Sequence, residues 1–182
     1  MSYCRYVNQL TEGQDPLNQA YHQQRYGFPI ENDNELFARL VMEINQAGLS
    51  WTLILKKEAG FRAAYDQFDI EKVAQYTDED RQRLLANPDI IRNRLKINAA
   101  IYNAQQIQKL QQQFGSFKQW LDQHHPKTLP EWIKIFKRHF KFVGKEIVHE
   151  FLLSCGYLPH AHDPDCPIYQ QILQTDVAWR RK

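Results

Sequence analysis

The sequence predicts an all-α protein, and three observations carry that expectation. Apolar residues recur at helical spacing through most of the chain, as in Leu36, Phe37, Leu40, Val41, Ile44 and Ala47. Helix start and stop signals punctuate these runs. No segment alternates apolar and polar residues in the manner of a half-buried strand. With 43 % apolar and 13 % aromatic residues in 182, there is enough material for one core of useful size.

Taken in order, Asn32 followed by Glu35 reads as a capping box that opens the first long apolar-periodic helix. "DEDRQRLLAN" stops at Asn87-Pro88, because the residue before a proline is pushed out of the helical region. "DIIRNRLKINAAIYNAQQIQKLQQQFG" predicts a long helix closed by Gly115. "SFKQWLDQHH" and "LPEWIKIFKRH" follow, the latter with a proline near its first turn, and then "KEIVHEFLLSCG", closed by Gly156. The expectation is six to eight helices in one compact domain spanning residues 1–182. There is no internal repeat and no glycine-serine or proline-rich linker.

Composition excludes several classes. No run approaches the ~20 apolar residues of a membrane span, and no signal-peptide pattern is present. Three cysteines argue against a disulfide framework, so a reducing cytoplasm is the expected compartment. A formal charge of +2 excludes wholesale coating of nucleic acid and leaves room for a local basic patch.

"HAHDPDC", residues 160–166, has the residue types of a metal site. Read as His162-x-x-x-Cys166 it supplies two ligands of a tetrahedral zinc. Cys4 and His22, in "AYHQQRYG", supply a second pair if the chain ends meet, as termini commonly do. Such a clip closes a loop of ~140 residues, worth roughly 4–5 kcal/mol as an upper guide by analogy with a disulfide. Spacing alone leaves Cys4 open as an incidental thiol. A closed set of four nitrogen and sulfur ligands argues against a catalytic metal, which keeps an open position.

Glu43 lies beside Leu36, Leu40 and Ala47 at the edge of the apolar arc. It is either an edge glutamate that reaches water or a pocket carboxylate facing a cationic or polar ligand. Tyr6, Tyr21, Tyr26 and Trp51 lie in the flanking segments, as core packing or as a binding box. Aromatics beside a buried acid suit a flat, positively charged heterocycle. "HFKFVGKEI" places Gly144 in a short turn between two helices, with Lys134, Lys137, Arg138, Lys141 and Lys145 around it. Backbone N–H groups at such a helix start can bind phosphate without reading a base. Arg92, Arg94 and Lys96 either extend that patch or line a helix surface.

"DPLNQAYHQQRYGFP" and "LFARLVMEINQAGLSWTLILKKEAGFRAAYDQFDIEKVA" resemble the 3-methyladenine DNA glycosylase I family of base-excision repair. "IIRNRLKINAAIYNA" and "FKFVGKEIVHEFLLSCG" extend the resemblance over nearly the whole chain, and "QAGLSW" with the glutamate before it is its most specific element. The resemblance implies a helix-hairpin-helix fold with one structural zinc ion tying the N- and C-terminal segments, its ligands matching Cys4, His22, His162 and Cys166. His162 is preferred to His160 on spacing, although one extra residue separates it from Gly156. The resemblance also implies an enzyme, expected as a monomer, that flips alkylated adenine out of damaged double-stranded DNA and hydrolyses its N-glycosidic bond, giving 3-methyladenine.

In that reading Glu43 is the base-contacting catalytic-site glutamate. Tyr21 and Trp51 are its motif aromatics and cover the ring faces of the base, and Tyr6 and Tyr26 stand where tryptophan is usual. Ile44 and Asn45 also depart from the pattern. Gly144, Lys141 and Lys145 are the DNA-binding residues. Asp163 and Asp165 fall in the region where many helix-hairpin-helix glycosylases carry a catalytic aspartate. Interleaved with His162 and Cys166, they are expected to serve the loop instead. The alternatives are a non-catalytic, zinc-stapled helical module that binds DNA or damaged bases, and a metallohydrolase.

Overall fold

The computed structural model describes residues 2–11 and 13–181. Among them eleven α-helices and two short 3-10 helices form, and no strand does. The helices are α1 (Tyr3–Asn8), α2 (Pro16–Gln24), α3 (Asp33–Gln46), α4 (Trp51–Ala64), α5 (Ile70–Ala74) and α6 (Asp78–Ala86). After these come α7 (Arg94–Phe114), α8 (Phe117–His124), α9 (Leu129–His139), α10 (Lys145–Ser154) and α11 (Pro167–Ile172). The expected six to eight fell short because α1, α5 and α11 have only five or six residues each. That is under two turns, too short for an apolar period to register.

Helix α3 is the hub. Ten of its 14 residues are buried, and α4, α5, α7, α8 and α10 all pack on it. It starts where the sequence predicts, with the Asn32 side chain accepting from the N–H groups of Asn34 at 2.9 Å and Glu35 at 3.1 Å. Only half of the capping box forms. The Glu35 carboxylate turns away to pair with both terminal nitrogens of Arg62 at 2.8 Å. Leu36, Phe37, Leu40, Val41 and Ile44 are almost completely enclosed, each worth about 1.5–3 kcal/mol of transfer free energy.

Both ends of α3 are tied to other elements by charged side chains. At the start, Asp33 accepts from the backbone N–H of Phe117 (2.8 Å) and Lys118 (2.9 Å) and from Gln111 Nε2 (2.7 Å). One carboxylate thus satisfies the first turn of α8, favourable for an anion at a helix N-terminus, and also holds the end of α7. At the other end, the Lys96 ammonium donates to the carbonyls of Asn45 (2.8 Å) and Ala47 (2.7 Å). Lys96 is therefore not part of a basic surface. It is buried, and burial lowers its pKa, while Arg92 and Arg94 are exposed.

The long helix begins later than its sequence pattern. Asn93 caps α7 by accepting from Leu95 and Lys96 N–H at 3.0 and 3.1 Å, and residues 89–93 stay outside it. That segment crosses α4 at Gly60, where an added Cβ would lie 2.5 Å from the Asp89 carbonyl oxygen. Asn87-Pro88 ends α6, and Gly115 ends α7, as expected.

Most of the apolar interior is one cluster running from Tyr21 to Ala178. A second, small cluster joins Cys4 to Cys166, Ile168, Ile172 and Val177, so the N- and C-terminal segments pack on each other. No helix of the described residues is long and apolar enough to cross a membrane.

The three bonds to Asp33 give a stability prediction. Asp33→Ala strips the acceptor from three donors, and hydrogen bonds to a charged group are worth about 1.5–3 kcal/mol. Its urea midpoint should fall by at least the equivalent of one such bond, with an unchanged m-value.

Candidate active site and metal cluster

A cavity of about 250 Å³ opens between the N-terminal segment, α3, α4 and α10, lined by Tyr3, Tyr21, Tyr26, Glu43, Gln46, Trp51 and Glu150. Among the described residues no basic side chain lines it. Tyr21 and Tyr26 come from α2 and the turn after it, Trp51 opens α4, and α3 supplies Glu43 and Gln46. Three residues apart on one helix, Glu43 and Gln46 share a face.

Of the five residues assigned to this site from sequence, four meet. Tyr6 does not. It is 39 % exposed, its hydroxyl donates to Asp15 Oδ2 at 3.1 Å, and its ring lies outside the cavity wall. Tyr3, three residues earlier on the same face of α1, lines the cavity in its place, with the two rings 6.4 Å apart and nearly parallel. Tyr3 was legible in principle, since whatever fixes Cys4 must place its neighbour close by. Gln46 was legible from its spacing to Glu43. Nothing local distinguishes Glu150.

The aromatic wall also differs from a pair of parallel plates. Tyr21 and Trp51 are 5.0 Å apart between centroids with planes at 57°. A base between two rings needs a gap of about 7 Å, twice a van der Waals contact. The pair therefore makes one corner of the cavity and Tyr3 with Tyr26, 5.2 Å apart and edge-on, makes another. The Trp51 indole N–H is buried without a partner.

Glu43 is only 5 % exposed. Burial raises its pKa to about 8, with the Arg39 charge pulling down and Glu150 pushing up. Arg39, one turn earlier on α3, is itself buried. It donates to the Ser154 carbonyl at 3.0 Å and lies 5.0 Å from the Tyr21 ring centroid. The edge-glutamate alternative thus gives way to a carboxylate enclosed by aromatics.

Beside the cavity, Cys4, His22, His162 and Cys166 converge, all four buried, with their ligand atoms within 4.8 Å of one another. Cys4 Sγ lies 3.4 Å from His162 Nδ1 and 3.3 Å from His22 Nε2, and Cys166 Sγ lies 3.7 and 3.8 Å from the same atoms. Zinc–sulfur and zinc–nitrogen bonds at tetrahedral angles put sulfur and nitrogen about 3.6 Å apart. The donor set fits such an ion. His162 Nε2 donates to the Tyr26 carbonyl at 2.8 Å, which leaves the Nδ1 lone pair facing the cluster. Gly27 makes the approach possible, having φ +81° and no Cβ to meet Ala161 at 2.9 Å. His160 is exposed and stands outside the cluster. Asp163 serves the loop: its N–H donates to Cys4 Sγ at 3.3 Å, and its carboxylate accepts from Ser2 Oγ.

At the other side of α7, Lys141 is held by Asn103, which accepts from its N–H at 2.8 Å and donates to its carbonyl at 3.1 Å. The turn between α9 and α10 is thereby fixed, and Gly144 starts α10 with no side-chain cap. Lys134, Lys137, Arg138, Lys141 and Lys145 are all exposed.

A sequence profile of the family "methyladenine glycosylase" matches residues 11–134. The chain is 37 % identical to DNA-3-methyladenine glycosylase 1 of Escherichia coli K12, over 93 % of this chain and 97 % of that protein. The chain belongs to the methyladenine glycosylase family. A second relative, the DNA-3-methyladenine glycosylase of Haemophilus influenzae, is 31 % identical over 85 % of this chain and 94 % of its own length. Among solved structures, 3-methyladenine DNA glycosylase I of Staphylococcus aureus superposes with a TM-score of 0.79 at 34 % identity, covering 85 % of this chain and 92 % of that one. A tyrosine-to-phenylalanine variant of a 3-methyladenine DNA glycosylase I, in complex with 3-methyladenine, superposes at 0.82 with 32 % identity, covering 92 % and 97 %.

The burial of Glu43 fixes a pH dependence for this family member. The unfolded chain releases that proton near 4.5, whereas the fold keeps it to about 8. Between those values the folded state holds more protons, so this group's contribution to stability falls as pH rises. Glu43→Gln removes the contribution. Its stability advantage over the parent should grow between about pH 5 and pH 8, by at most on the order of 5 kcal/mol. Urea midpoints across that window measure it, and an advantage that stays flat contradicts the buried acid.

Proposed function

We propose that this chain is a DNA-3-methyladenine glycosylase, hydrolysing the N-glycosidic bond of alkylated adenine in double-stranded DNA as the first step of base-excision repair. The observation that carries this reading is Glu43, a buried acid in an aromatic cavity with no basic side chain among the described residues that line it. The curated relatives bear the name of that activity, and one structural neighbour is a complex with 3-methyladenine.

The alkylated nucleotide carries a positive charge that already weakens its glycosidic bond, so the chain's own residues have to extrude, enclose and read the base. Glu43 accepts hydrogen bonds from the flipped base, and Tyr21, Trp51, Tyr26 and Tyr3 supply aromatic contact. Stacking on aromatics is worth about 1–3 kcal/mol per base. The α9–α10 pair is the helix-hairpin-helix. The uncapped start of α10 at Gly144, with Lys141 and Lys145, contacts phosphates without reading sequence. Residues 1–182 work as one unit, as a monomer in the cytoplasm.

Cys4, His22, His162 and Cys166 hold one structural zinc ion, whose charge keeps both sulfurs as thiolates. The purified protein should then carry close to one zinc per chain. Chelation should lower the melting temperature, and Cys4→Ala should lose the metal. Full metal content in that variant contradicts the ligand set.

The activity itself is tested by chromatography of base released from methylated duplex DNA. The parent should release 3-methyladenine. Glu43→Gln should do so at least about tenfold more slowly, a change of about 1.4 kcal/mol in the barrier, with bulk DNA affinity retained. A parent protein that releases no base overturns the proposal.

A further inference from the structure

The cavity holds a second carboxylate. Glu150, on α10, lines it together with Glu43 on α3, and the Tyr26 hydroxyl donates to Glu150 Oε2 at 3.3 Å. The same Tyr26 is fixed through its backbone, since its carbonyl accepts from His162 and its N–H donates to the Tyr21 carbonyl at 2.9 Å. Glu150 is therefore an oriented acceptor on a fixed wall. The charges around it are few: His149 Nδ1 lies 3.8 Å from Oε1, Glu146 is one turn back on α10, and Arg39 stands behind Glu43. None of these is a cation in the cavity lining. Two acids share one partly desolvated space with no positive side chain among the seven that form it.

We propose that Glu150 is a second specificity-determining residue, which makes the cavity prefer a positively charged alkylated purine over the same base in neutral form. This rests on the base-pocket reading above and deepens it. Two acids in one partly desolvated cavity hold their protons more tightly while it is empty, and a cation between them favours the ionised, attractive form more strongly than it would in water. A flat cation spread over a purine ring supplies what the lining lacks.

The consequence follows the charge through the reaction. In the intact nucleotide, alkylation leaves the purine positive. When the C1′–N9 bond breaks, its electron pair stays on N9 and the base leaves neutral, while water adds to C1′ and gives up a proton. The Glu150 attraction is thus present for substrate and absent for product. Glu150 favours admission of the damaged nucleotide over its ordinary neutral counterpart, and retention of the released base gains nothing from it.

Binding of two small probes tests this, read by calorimetry on the full chain: 3,9-dimethyladeninium, a cation whose N9 methyl stands for the sugar, and neutral 3-methyladenine. The parent should bind the cation more tightly. Glu150→Gln should cut the cation-to-neutral affinity ratio by roughly tenfold while changing neutral-base affinity by less than about twofold. Glu150→Asp, which keeps the charge, should retain most of the preference, and so separates charge from a packing defect. A Glu150→Gln ratio equal to the parent's overturns the proposal, as does an equal loss for both probes. A parent that binds neither probe instead overturns the base-pocket reading, an outcome distinguishable from the first two.

Discussion

The ammonium of Lys96 against the last carbonyls of α3 is the contact on which the rest of the arrangement turns. A helix end leaves carbonyls without partners, and here two of them, from Asn45 and Ala47, lie where water has poor access. A cation at a helix C-terminus satisfies them and complements the helix dipole. Because Lys96 is the third residue of α7, that one contact fixes the rim of the cavity relative to the long helix. Asn103 on the same helix then holds the α9–α10 turn through both backbone groups of Lys141. Cavity rim and basic turn are thereby referred to a single rigid element. Asp33 closes the other end of α3 onto α7 and α8.

That rigidity matters because Glu43 is an unfavourable residue to bury. A carboxylate in an apolar setting lowers its cost by taking a proton or by gaining partners. A loose scaffold would let it swing to water. Here α3 is enclosed over most of its length, and Arg39 moderates the penalty from one turn away. The fold holds Glu43 where a ligand, rather than solvent, can complement it. The Cys-His-His-Cys cluster reaches the same cavity through a different route. His162 Nε2 bonds the Tyr26 carbonyl, and the Tyr26 ring lines the pocket. Tightening the junction of the chain ends therefore also orients part of the aromatic wall.

Much of this was legible because it depends on local signals or on residue types with few other uses. Asn32 announces α3, and a strong apolar period places Glu43 at its edge. Cysteine and histidine at both ends of a chain with no disulfide pattern point to a metal clip, and the four donors do converge. Three departures depend on contacts distant in sequence. Lys96 looked like a surface charge because nothing nearby shows that the end of α3 will meet it. The start of α7 was misplaced because Ile90 and Ile91 continue the apolar pattern, while the chain is diverted by its crossing at Gly60. Tyr6 and Tyr3 are both aromatic residues on the same short helix, and which one lines the cavity depends on how α1 docks.

Glu150 shows where sequence reasoning stops. In "KEIVHEFLLSCG" it is simply a polar residue in a buried helix, and an isolated helix would leave it to solvent. Its environment comes from α10 packing on α3, which brings it into the same cavity lining as Glu43. Two acids on separate helices gain a joint preference for a cation once packing brings them to one partly desolvated space. The cavity encloses Glu43 and half-buries Glu150, and apart from Gln46 the rest of its lining is aromatic. Selection by charge is therefore a property of the packed helices and of no single motif in the chain.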